Sequence, residues 1–188
     1  MPELDPQQIV RQIINRAFLL RIGEETLAII HARTLRGEFL QGSTTRGYST
    51  KPAPMPLGGF MARLGKSRGQ AIWRHIQKGD EPGTVWRESK SGKIWLTLQG
   101  GYKRLRELSG RETDRVTLNW TGRMLQALKE IRVNEQDMSV TIGFTNTEAG
   151  TIAGFHHAGA GRTTVKRLFV GLSEREIADL MRAIDSGP

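Results

Sequence analysis

The sequence predicts an α+β fold: a small, mainly antiparallel sheet packed with helices, a long N-terminal helix and an extended arm. Three observations carry that prediction. Ile9, Ile13, Ala17, Leu20 and Leu27 recur at helical intervals near the start, and Ile177, Leu180, Met181 and Ile184 do so near the end. Val140, Ile142 and Phe144 alternate as one face of a strand. Only 37% of the residues are hydrophobic and 22 are glycine, which implies a modest core with much loop.

Residues 6–35 read as one helix, with Pro6 suited to its first turn and Val10, Ile14 and Phe18 widening the apolar stripe. Gly23 marks a bend or a close crossing. So broad a face fits either an ordinary core helix or one shared between subunits. Residues 37–59 lack periodicity and carry several prolines and glycines, so they read as a flexible arm. It is either a tether or an arm that orders on a neighbouring subunit.

Residues 60–188 form the main domain. A helix is expected over 60–78, with Phe60, Leu64, Ile72, Trp73 and Ile76 as its apolar positions. TVWRE and KIWLTL bracket a Ser/Gly turn, predicting a basic β-hairpin over about 79–98 in which Trp86 and Trp95 pack across the strands. GYKRLREL predicts a short helix with Tyr102, Leu105 and Leu108 on one side and Lys103, Arg104 and Arg106 on the other. Thr121 is a candidate cap for a helix buried through Met124, Leu125, Leu128 and Ile131. Ser139–Phe144 is a strand, IAGFHHAGAG a short helix and its end, and Arg167–Val170 a further strand before Gly171. Ser173 and Glu176 have the spacing of a capping box for the last helix. The predicted core is Met124, Leu128, Val140, Ile142, Phe169, Leu172, Ile177 and Leu180, with Phe169 against the 124–131 helix.

No cofactor, metal or catalytic constellation emerges. With no cysteine, disulfides and thiolate metal sites are excluded. His156 and His157 are adjacent, and on a helix they diverge by about 100°, so they do not chelate one ion together. HAGAGRTT lacks the lysine and following hydroxyl of a phosphate-binding loop, and no GxSxG elbow occurs. Glu24 and Glu25 read as solvated carboxylates. The N-terminus carries no secretory pattern and no run approaches a membrane span, so a soluble, initially cytoplasmic protein is expected.

The formal net charge of +9 is concentrated: residues 37–136 hold 18 basic against nine acidic side chains. A local field of that kind predicts an anionic partner, either nucleic acid or an acidic protein surface; a solvated basic face is the simpler alternative. Arg87, Lys90, Lys93, Lys103, Arg104 and Arg106 are the expected docking face. No helix-turn-helix or zinc pattern aims these cations at base edges, so any DNA contact is expected to be non-specific.

From Leu118 to Ile184 the order of fragments also carries a family resemblance: TGRML opening a helix, the VTIGF strand, a short helix ending in His-x-x-Gly at His157, and RLFVGLS turning into the last helix. This block resembles the phage virion-morphogenesis and tail-completion family, and GYKRLREL resembles it more loosely. Where that family has a proline near an aromatic before the last strand, this chain reads RTTVKRLF. The resemblance implies a ring-forming structural subunit at the head–tail junction or tail end of a tailed phage. Its partners would be copies of itself and other neck and tail proteins, its site the virion, and the role of His157 structural. A basic DNA-binding accessory protein is the alternative.

Overall fold

The computed structural model describes residues 15–43, 47–118, 122–160 and 165–185. Their elements, in chain order, are α1 (Arg16–Leu35), β1 (Ala53–Pro56), α2 (Leu57–Leu64), α3 (Lys66–Lys78), β2 (Gly83–Arg87), β3 (Ile94–Leu98), α4 (Gly101–Leu108), α5 (Arg123–Ala127), β4 (Leu128–Asn134), β5 (Ser139–Phe144), α6 (Thr147–Ala158) and α7 (Glu174–Asp185). The fold is α+β, with one three-stranded and one two-stranded antiparallel sheet. Two compact units divide the chain: residues 1–45 with 117–188, and the continuous stretch 46–116.

In the first unit, α1 starts at Asn15, whose side chain accepts the Phe18 N–H at 2.9 Å. The predicted residues 6–14 lie outside the described residues. The buried line of α1 is Leu19, Gly23, Ile30, Arg33 and Thr34, whereas Ala17 is exposed. Gly23 is a close crossing: a Cβ there would lie 2.7 Å from Ile131 Cγ2 and 3.1 Å from Val140 Cγ1. That places α1 against the β4–β5 ribbon, where Ile131 pairs with Ile142 and Val133 with Val140.

The helix expected to run through Ile131 stops at Ala127, and Leu128–Asn134 is a strand. Leu128 and Ile131 fit a helical stripe, but LKEIRVN also places charged residues between β-branched ones, and β5 supplies a ladder for them. Thr121 lies outside the described residues. The run 165–170, expected to hold a strand, joins no ladder among the described residues. Instead Leu168 accepts the Leu40 N–H at 2.8 Å and donates its own N–H to Ser43 Oγ at 2.8 Å. Phe169 is fully buried, packed in one cluster with Met124, Leu125, Ala127, Ala149 and Ala153. It therefore meets α5 and α6 rather than a 124–131 helix.

In the second unit β3 is central, flanked by β1 and β2. Its inward Leu96 and Leu98, with Phe60, Ile76 and Leu105, form the buried set, each at most 5% exposed. The helix expected over 60–78 is two helices, broken at Gly65, whose φ of 82° the left-handed region reserves for glycine. Part of the expected arm is structured here. Pro54 and Pro56 sit in β1, an edge strand where a missing N–H is tolerated, opposite Thr97 and Trp95. Upstream, Ser49 O accepts the Lys103 N–H at 2.9 Å, and a Cβ on Gly101 would lie 2.1 Å from Lys51 O. The start of α4 thus holds residues 49–51.

Candidate interaction surfaces

The charge follows the structural division. Residues 46–116 hold 15 basic and six acidic side chains, and the remainder of the chain holds 13 of each. One unit carries the whole excess and the other is neutral.

The expected docking face divides into two groups. Arg87, Lys90 and Lys93 are exposed around the hairpin turn. On α4, Lys103 is half-buried, and Arg104 is bound to Glu81 by two bonds of 2.7 Å and to Glu107 at 3.0 Å. The hydrogen bonds from Arg104 hold the Glu81 carboxyl below its usual range and raise the Arg104 guanidinium in turn. Arg106 is only 2% exposed: its guanidinium lies 4.3 Å over the Tyr48 ring, and Nε donates to Glu112 O at 3.0 Å. Residues 48–51 lie against α4 through the Tyr48 ring on Arg106 and the Ser49–Lys103 bond, while Tyr102 and Glu107 stay exposed. Arg104 and Arg106 are therefore structural, and reversing them is expected to damage the unit rather than merely block docking.

A second basic surface was not singled out by the sequence. From Leu57 to Lys78, α2 and α3 carry Arg63, Lys66, Arg68, Arg74 and Lys78 and no carboxylate. All five are exposed, and among the described residues none is in an ion pair. Ile76 and Gly69 define the buried side of α3, so Arg74 and Lys78 lie on the side opposite. The signal was legible as a run of 22 residues without an acid.

In the neutral unit the feature is apolar. α6 buries Ala149 and Ala153 and leaves Ile152 and Phe155 outside, Phe155 at 57% exposure. On α7 the capping box forms: Glu176 accepts the Ser173 N–H at 2.7 Å and Ser173 Oγ accepts the Glu176 N–H at 3.3 Å. Of the stripe expected to be buried, only Leu180 is; Ile184 is half-buried, and Ile177 and Met181 are exposed, Met181 at 53%. Leu172, Val140 and Ile142 are half-buried, whereas Met124, Leu128 and Phe169 are buried as expected. The Ile177 error has a simple cause. A periodic stripe marks a face that needs cover, and among the described residues only one edge of it is buried.

Arg33, which the sequence reading passed over, locks this unit. Almost wholly buried on α1, it donates to Glu176 at 2.5 Å, to Phe169 O at 2.6 Å and to Gly171 O at 2.9 Å. Burial works against ionisation of Glu176, but the Ser173 N–H and hydroxyl and the Arg33 charge outweigh it and lower its pKa. The available signal was a cation among Ile30 and Thr34 on the buried line.

The histidines occupy separate places. His157 Nε2 accepts from the Phe169 and Val170 N–H groups at 3.3 and 3.1 Å, and its ring meets Phe169 edge-on at 5.2 Å. His31 Nε2 lies 3.0 Å from Leu128 O, and exposed His75 pairs with Asp80. Among the described residues no three His, Cys, Asp or Glu side chains gather as a metal site. No described helix is long and apolar enough to cross a membrane. Glu24 and Glu25 are exposed on α1, and residues 161–164 of HAGAGRTT lie outside the described residues.

No family model, curated protein or solved structure matches the chain.

Proposed function

We propose that this protein is an assembly subunit of a tailed-phage particle, a ring-forming tail-completion or head–tail joining protein. The observation that carries the reading is the pair of unfinished helices. Ile152 and Phe155 on α6 and Ile177 and Met181 on α7 belong to a unit of zero net charge. Exposed apolar side chains grouped on helix faces are what a subunit presents to another subunit. A head-to-tail contact that closes on itself gives a ring. The order of TGRML, VTIGF and RLFVGLS supplies the phage assignment, and the hydrogen bonds accepted by His157 agree with a structural role.

Electron microscopy and light scattering of the purified chain test the reading. Rings with a central hole are expected. Phe155→Ser with Met181→Ser should yield monomers whose thermal midpoint is unchanged. A wild type that stays monomeric at high concentration, alone and with phage neck proteins, would remove the reading.

A further inference from the structure

We propose that the hairpin of the basic unit binds an unpaired nucleic-acid strand, with a base stacked on Trp86 and the adjoining phosphates held by Lys90 and Lys93 of the turn. This does not depend on the assembly reading. Trp86 pairs with Trp95 across the strands, the rings 5.6 Å apart and within 8° of parallel. One face of the Trp86 indole is thereby covered, yet the residue remains 44% exposed, so its other face is open. It sits on β2, an edge strand, where nothing in the sheet follows it.

Cations stand at the adjoining turn. Arg87 pairs with Ile94 and so projects from the face of β2 opposite Trp86, its guanidinium toward the turn, where a Cβ on Gly92 would lie 4.0 Å from Nη1. Lys90 and Lys93 are exposed on the same turn. The single carboxylate among them, Glu88, accepts the Ser91 hydroxyl. The unit behind the hairpin adds the rest of its excess of nine positive charges. A flat open indole beside cations suits a splayed base and its phosphates, since every base has a π-face and phosphate attraction is indifferent to sequence. A duplex offers the phosphates but keeps its bases stacked.

Fluorescence anisotropy on the full chain tests this, using a labelled oligothymidylate and a blunt duplex of matching length. The single strand should bind more tightly, with an affinity that falls steeply as salt rises. Trp86→Leu, which keeps apolar cover over Trp95 but removes the ring, should weaken the single strand about tenfold and leave the duplex unchanged. Trp86→Phe should restore most of the loss. Lys90→Glu with Lys93→Glu should weaken both probes and flatten the salt dependence. Equal affinity for the two probes with no effect of Trp86→Leu would overturn the proposal, and so would failure to bind either probe. Subunit rings surviving in Trp86→Leu would show that losing this site leaves assembly untouched.

Discussion

At the scale of single residues, the strongest contacts are long-range and polar. Arg33 spans three acceptors from one buried guanidinium, so Arg33→Ala should cost about 3–5 kcal/mol, because Glu176 and two carbonyls lose their donor. Arg33→Lys should recover little of this, since a point-like ammonium cannot reproduce the fork. Denaturant midpoints check both, and an unchanged midpoint for Arg33→Ala would refute the assignment. His157 gives a pH signature. Burial and then the charge of Lys166 depress its pKa below 6.5, and His156 is lowered by burial beside Arg167. The unfolded chain then binds more protons than the folded one as the pH falls below about 6.5. Stability is fully present above that value and drains away as the pH falls through the folded pKa, where protonation destroys both bonds accepted at Nε2. The thermal midpoint should fall between pH 7 and 5, and His157→Gln should flatten part of the fall. Of the Arg33 network the Ser173–Glu176 spacing was legible, but the pairing of Arg33 with it was not, because the two lie far apart in the chain and no local spacing joins them. Phe169 was legible, as a large apolar side chain beside a glycine turn.

Among the elements, local signals succeeded where one element completes itself. The Ser173–Glu176 box, the Ser139–Phe144 strand and the Trp86–Trp95 pair are set by residues a few positions apart or directly opposite in one hairpin. They failed where a neighbour decides. Ile131 fits a helical stripe with Leu128 and an alternation with Val133, and pairing with β5 chose the strand. The expected arm was misread because prolines suggest loop, although an edge strand accommodates them. Its anchorage on α4 is testable. Gly101 has φ 57° and carbonyl oxygen where a Cβ would stand, so Gly101→Ala should detach residues 49–51 from α4. Chymotryptic cleavage after Tyr48, whose ring lies under the Arg106 guanidinium, should then accelerate in the variant. Equal cleavage rates would mean that the α4 contact does not hold this segment. Gly23→Ala probes the other crossing. Helix propensity favours alanine by about 1 kcal/mol, but the clash with Ile131 and Val140 should make the net change destabilising.

Across the whole molecule, the chain sorts its chemistry by unit: neutral and apolar-faced in one, strongly basic in the other. The charge concentration was legible in the sequence, and its boundary became sharp only when the fold fixed 46 and 116 as the ends of a unit. This sorting has a consequence for timing. Every free copy carries a net charge of +9, so copies repel one another even while their apolar helix faces favour contact. For the proposed assembly, a basic insert of this kind predicts a brake on premature self-association. The brake is released where counter-charge accumulates, at a polyanion or an acidic partner, or under salt that shortens the screening length to about 8 Å or less. Self-association should therefore rise with ionic strength and with substoichiometric nucleic acid, measured by sedimentation. A monotonic fall with salt would show that attraction between charges, rather than the apolar faces, draws the copies together.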